Sequence, residues 1–269
     1  MQKKAIGVFD SGLGGLTAVR EMLRILPGED IIYFGDTGRV PYGSKSNDTI
    51  SRYALQDARF LKSMGVKMIV AACGTVSSVA PDLSEELGLP YTGVVYPTCF
   101  SAIHATKNGR IGVIGTAATI KSHSYKNRIE KKYPEVIVIE QACPLFVPLV
   151  ENGMTDPDDE IVRLTVSRYL KVMQENDVDT IILGCTHYPL LSEAIAREMG
   201  PGVTLIDSGK ETALYTKKIL EENGLISDST EGNQRYFVSD TPADFEKYAE
   251  IFLRRNINHK VEQISIEEY

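Results

Sequence analysis

The chain has 269 residues, 43% hydrophobic and 24% charged, which is enough apolar side chain for one or two cores without disulfide or metal staples. A formal net charge of -7 argues against a nucleic-acid partner, which calls for a basic stripe or excess, and the Lys131-Lys132 and Arg254-Arg255 pairs are too short to supply one. The opening MQKKAIGVFDSG is broken by Asp10 and its glycines before a signal sequence or a membrane span could form, so a cytoplasmic chain with no membrane partner is expected.

In chain order, apolar and β-branched runs alternate with longer amphipathic stretches. AIGVF, IIYFG, KMIVAA, YTGVVY, RIGVIG, EVIVIE, DTIILG and VTLID are expected as strands, and the stretches between them as helices. Continuous apolar strands joined by helical connections make parallel sheets covered on both faces, so the fold class is α/β. Asp156 before Pro157 is expected to cap one helix, with Asp158, Asp159 and Glu160 favouring its dipole, and Thr241 before Pro242 to cap a late helix over 242–255. Ser208 with Glu211 reads as a capping box that opens a helix running to Asn223.

The two halves echo each other weakly. GVFDSGLGG and MIVAACGT in the first, then GVIGTAAT and TIILGCTH in the second, each pair a polar turn after one strand with a Cys and a nearby Thr after another. Two similar lobes are therefore expected, each a mostly parallel sheet flanked by helices, with a substrate cleft between them. Residues 1–95 plus 208–269 would form the first lobe and 96–207 the second.

Open α/β sheets bind ligands beyond the carboxyl ends of their strands. At those ends stand Asp10 and Ser11; Pro41, Tyr42 and Gly43; Cys73, Gly74 and Thr75; Thr116 through Thr119; and Cys185, Thr186 and His187. DSGLGG, with Asp36 about twenty residues on, partly matches a dinucleotide fingerprint, but Thr17 takes the third small position and Asp10 would bring a negative charge to a pyrophosphate. YGSKS lacks the residue order of a phosphate-binding loop, so no nucleotide or other cofactor is expected. Cys73, Cys99, Cys143 and Cys185 show neither CxxC nor CxxH spacing, and His104, His123, His187 and His259 are scattered, so no metal site is expected either. Cys99 and Cys143 read as small buried hydrophobes.

Cys73 and Cys185 differ from those two because they end equivalent strands of the two halves and would face each other across the cleft. Inverting a stereocentre by proton transfer needs a base on one face of the carbon and an acid on the other, with the roles exchanged in the reverse direction. A thiol of pKa roughly 8.5, tuned by its surroundings, can serve as either. His187, two residues past Cys185, can exchange protons or polarise a neighbour there.

Taken together, these residues resemble the bacterial glutamate racemases nearly end to end, through FDSGLGGLTAV, YFGDTGRVPYG, ACGT, IGTAATIKSHSY, ACPLFVPLVENG and ILGCTHYPLL. The resemblance implies a cofactor-independent isomerase that interconverts L- and D-glutamate for peptidoglycan synthesis, with a homodimer as its assembled form. It implies Cys73 and Cys185 as the acid/base pair, Asp10, His187 and Glu151 as their helpers, and a substrate held by Asp10, Ser11, Pro41, Tyr42, Gly43, Gly74, Thr75, Thr116, Thr119, Thr186 and His187. Hydroxyls and backbone N–H groups suit a dicarboxylate because they donate without adding negative charge, and Asp10 can accept from an ammonium. The chain departs from the family pattern at Gly74, where Asn is usual, and in GVVYPTC, where Glu-Pro-Gly is usual. The departures leave two further expectations: a racemase of aspartate or another amino acid, and a protein that binds an acidic amino acid without turning it over.

Overall fold

Apolar runs without a polar face need cover on both sides, and the computed structural model, which describes residues 4–80, 82–257 and 261–269, places them at the centre of two helix-covered parallel sheets. His259 lies outside the described residues. The order is β1 (Ile6–Asp10), α1 (Leu16–Ile25), β2 (Ile31–Gly35), α2 (Asn47–Ser63), β3 (Met68–Ala71), α3 (Gly74–Val79), α4 (Ser84–Leu87), β4 (Tyr91–Gly93), α5 (Val95–Ala105), β5 (Arg110–Gly115), α6 (Ala117–Ser122) and α7 (Ser124–Lys132). It continues with β6 (Ile137–Ala142), α8 (Phe146–Glu151), α9 (Glu160–Glu175), β7 (Thr180–Leu183), α10 (Ser192–Met199), β8 (Thr204–Asp207), α11 (Ser208–Glu222), β9 (Gln234–Val238), α12 (Pro242–Leu253) and β10 (Val261–Gln263).

Among the described residues, six strands form one sheet in the order β10-β9-β2-β1-β3-β4 and four form the other in the order β6-β5-β7-β8. Every pairing is parallel. β1, β2, β3 and β7 are buried along their whole length, as strands between two helical layers must be. A single apolar cluster runs from Val8, Tyr33 and Val70 in the first sheet to Ile114, Leu183 and Tyr188 around the second. α11 packs on both α1 and α5, and α12 returns to α1 and β10. No helix among the described residues is long and apolar enough to cross a membrane.

Several local expectations need correction. YTGVVY is only partly a strand: pairing stops at Gly93, the Val94 N–H bonds Ser77 Oγ at 3.0 Å, and α5 starts at Val95. Pro97 causes no break because it falls in the first helical turn, where its missing N–H has no intrahelical partner to lose. Asp156 heads a turn instead of capping α9, and Asp159 is the cap, accepting from the N–H groups of Ile161 and Val162. Asp207 displaces Ser208 as the cap of α11 by accepting from Gly209 and Lys210, while the Ser208 hydroxyl donates to Leu183 O at 2.9 Å and Glu211 accepts from Ser101. Thr241 does precede α12 with Pro242 in its first turn, without a side-chain cap bond. β9 and β10 are the strands that the apolar pattern did not announce.

Candidate active site

Asp10 ends β1, and Cys73 lies two residues beyond β3. Since Asp10 pairs with Gly35 and Phe9 with Ala71, the two side chains issue from adjacent strands at the same end of the sheet. The second sheet repeats this arrangement. Ile114 pairs with Leu183 and its carbonyl accepts from Gly184 N–H at 2.8 Å, so Thr116 and Cys185 also leave adjacent strands.

The two ends meet. A methyl carbon at Gly74 would lie 2.2 Å from Gly184 O and 3.7 Å from Cys185 Cα, so only a residue without Cβ fits between the turns that carry the two thiols. At Gly14 a methyl would lie 2.1 Å from Thr186 Oγ1 and 2.6 Å from His187 Nδ1. The glycine-rich turn after β1 is thus filled by the other lobe's side chains and acts as a joint. Thr17, the residue that spoils the dinucleotide fingerprint, belongs to that joint: its hydroxyl bonds the carbonyls of Gly14 and Thr186 at 2.9 Å each.

Cys73 caps α3 with extended backbone, and its Sγ donates to Ser11 Oγ at 3.6 Å. Burial pushes this thiol up to about 12, the nearby Asp10 carboxylate adds to the rise, and the Val76 N–H and Ser11 hydroxyl oppose it. Asp10 is itself buried, which raises its pKa, while His187 and the N–H groups of Gly12 and Gly15 pull the other way. Its Oδ2 accepts from Gly12 N–H at 2.9 Å, and its Oδ1 has no hydrogen-bond partner among the described residues.

Cys185 has different company. Its Sγ lies 3.9 Å from His187 Nδ1, and His187 Nε2 lies 3.2 Å from Glu151 Oε1. Burial alone would lower the imidazole, but its bonds to Cys185 and Glu151, with the Asp10 charge behind them, hold it at about 10. His187 is protonated at neutral pH and faces a carboxylate on one side and a sulfur on the other. The edge of Phe252 meets its ring at 5.2 Å between centroids.

Three hydroxyls form a row beside the pair, of which Thr119 is fully buried. Thr75 Oγ1 and Thr116 Oγ1 are 3.0 Å apart, and Thr116 Oγ1 and Thr119 Oγ1 also 3.0 Å, so the row crosses from one lobe to the other. Asp10, Ser11, Cys73, Gly74, Thr75, Thr116, Thr119, Cys185, Thr186, His187 and Glu151 are therefore connected through contacts at the facing strand ends. Pro41 is exposed, and Gly43 lies against Thr116, where a methyl would be 3.2 Å from Thr116 Cβ. The Tyr42 ring is turned inward and buried, its hydroxyl on Asp36 and Asp57.

Sequence reasoning missed Arg39, Asp57 and Phe252, and weighed Asp36 only within a dinucleotide fingerprint that it set aside. Only Asp36 carried a signal, by its place at a strand end. Cys99 and Cys143 are buried, burial pushes both thiols up, and Cys143 is close enough to Cys185 for that sulfur to add to its rise. His104 and His123 are exposed, each bonded locally. Among the described residues, no three His, Cys, Asp or Glu side chains converge as a metal cage.

A family model described as Asp/Glu/Hydantoin racemase spans residues 6–216. A glutamate racemase of Geobacter metallireducens is 48% identical over 269 residues, 99% of this chain and 98% of that protein. The crystal structure of a glutamate racemase isoform from Bacillus anthracis has a TM-score of 0.92 at 38% identity and covers 98% of each chain. That of glutamate racemase from Francisella tularensis in complex with D-glutamate has a TM-score of 0.91 at 39% identity and covers 100% of each.

Proposed function

This chain belongs to the Asp/Glu/Hydantoin racemase family, and from that membership we propose that it interconverts L- and D-glutamate by passing the α-proton between Cys73 and Cys185. The observation that carries the two-thiol reading is the matched pair of strand ends, brought so close that Gly74 touches the turn bearing Cys185. In one direction the Sγ of Cys185, as thiolate, takes the Cα proton, and the Sγ–H of Cys73 returns one to the opposite face. The reverse direction exchanges the roles. Protonated His187 complements a thiolate at Cys185, and its bond to Glu151 keeps the ring aimed.

Cys73 is a thiol in the resting site, since burial and Asp10 both disfavour its anion. A substrate ammonium paired with Asp10 would cancel that carboxylate's field and ease the thiolate's formation when Cys73 is the base. Ser11, Thr75, Thr116 and Thr186 hydroxyls, with the backbone N–H groups of Tyr42 and Gly43, are suited to the two carboxylates. The D-isomer would serve peptidoglycan synthesis in the cytoplasm, with the enzyme working as a homodimer.

The experiment is to follow the circular dichroism of L- and D-glutamate with the wild-type protein, Cys73→Ala and Cys185→Ala. Racemisation by the wild type and its loss in both variants is expected, and undiminished racemisation in both variants would refute the thiol pair. Gly74 favours one variant reading, a preference for aspartate or another amino acid, because it lacks the amide side chain usual at that position in the family. Turnover over a panel of amino acids decides between them, and a clear preference for glutamate removes the variant reading.

A further inference from the structure

The segment Val40–Ser44 joins β2 to α2 as irregular chain with a short 3-10 turn, yet it presses Gly43 against Thr116 of the opposite lobe. Backbone bonding within it is sparse. What holds it is a buried polar cluster behind Tyr42. Arg39 Nε bonds Asp36 Oδ2 at 2.6 Å, its Nη2 bonds Asp57 Oδ1 at 3.0 Å, its Nη1 bonds Gln56 Oε1 at 2.6 Å and reaches Glu267 at 3.6 Å, and its guanidinium lies 3.9 Å from the Tyr53 ring centroid. The Tyr42 hydroxyl bonds Asp36 Oδ2 and lies 3.1 Å from Asp57 Oδ2. Ser239 donates to Asp36 Oδ1 at 2.7 Å, and the Asp36 N–H donates to the carbonyl of Asp10 at 3.0 Å. Asp36 and Asp57 are both 0% exposed.

We propose that Asp36, Arg39 and Asp57 are positioning residues that act through the Tyr42 hydroxyl to fix the Pro41–Gly43 segment against the second lobe, and so set how tightly substrate is held. The inference rests on the reading that this segment touches substrate. One hydroxyl proton serves one carboxylate. With it on Asp36, Asp57 brings a proton of its own to the phenol oxygen, in keeping with the upward push on Asp57 from burial and from Asp36. The buried part of the cluster then holds one carboxylate against one guanidinium, and Glu267 meets Arg39 from the exposed side. An amide at position 57 reproduces this pattern, its oxygen accepting from Arg39 and its nitrogen donating to Tyr42.

Steady-state kinetics with glutamate on the wild type, Arg39→Lys, Asp57→Ala, Asp57→Asn and Tyr42→Phe test this, with isothermal titration of glutamate binding in parallel. Arg39→Lys and Asp57→Ala are expected to raise KM about tenfold while kcat stays within about twofold, because lost positioning weakens ground state and transition state alike. Asp57→Asn is expected to stay within about twofold of the wild type in both parameters. Tyr42→Phe, which preserves the packing, should give the same rise in KM and so covers the case in which Asp57→Ala does not fold. KM at the wild-type value in Arg39→Lys or Tyr42→Phe overturns the inference, as does a loss confined to kcat or an Asp57→Asn variant as impaired as Asp57→Ala. A wild-type protein that neither racemises nor binds glutamate overturns the reading of the site, and the inference with it.

Discussion

Cys73 and Cys185 leave equivalent strand ends and enter opposite electrostatic surroundings. Cys73 faces a buried carboxylate and a serine hydroxyl, and its thiol is pushed up to about 12. Cys185 faces an imidazole held at about 10 with an acid behind it. The backbone of the two half-sites is nearly a repeat, whereas the charges are not. In the proposed two-base reaction one sulfur gives a proton while the other takes one, and it is the neighbours of the two sulfurs, a carboxylate beside Cys73 and an imidazole beside Cys185, that differ.

The largest expected effect treats the halves alike: Cys73→Ala and Cys185→Ala should each reduce racemisation by about 10³-fold or more, measured by circular dichroism, as befits loss of an acid/base group in the reaction. The next effect should separate them. His187→Asn is expected to lower the saturating rate about 10²-fold mainly in the direction in which Cys185 is the base, whereas Asp10→Asn, which removes the carboxylate that disfavours the Cys73 thiolate, is expected to spare the direction in which Cys73 is the base. Initial rates from the two enantiomers, taken separately, check this, and equal losses in both directions would erase the proposed division.

Smaller effects test the joint between the halves. Gly14→Ala places a methyl 2.1 Å from Thr186 Oγ1 and should destabilise the protein by about 1–3 kcal/mol in urea unfolding, the usual cost of overpacking. The smallest depends on pH. His187 rises from 6.5 to about 10 in the folded chain, so its contribution to stability is complete below pH 6.5 and vanishes as pH rises through about 10. The difference in Tm between the wild type and His187→Gln should narrow over that interval, and a constant difference would contradict the raised imidazole.

The parallel sheets were legible because their central strands are unbroken apolar runs, a pattern that amphipathic helices do not share. β9 and β10 were not. QRYFV begins with two polar residues, and VEQ offers one apolar side chain at the sheet's edge, so neither has the composition of a strand buried on both faces. The residues proposed to carry the chemistry were singled out by their places at strand ends and by family resemblance. Their supports were not: Arg39 and Asp57 are distant in sequence and ordinary in type, and Phe252 reaches His187 from a helix near the far end of the chain. Helix caps were misplaced by one to three residues because several adjacent Asp and Ser side chains could each take the role, and only the final backbone direction selects among them.

The sulfurs of the pair belong to residues that are 5% and 6% exposed. An alkylating reagent such as iodoacetamide therefore meets them only when the structure around them opens. Its rate becomes the product of two factors, the reactivity of the thiolate and the fraction of time the cleft spends open. Mass spectrometry of the two cysteine-bearing peptides resolves the factors, because opening is common to both sulfurs and ionisation is private to each. The ratio of the two labelling rates then follows how readily each thiolate forms and reacts, and a fall in both rates when glutamate is added reports that the ligand protects the two sulfurs.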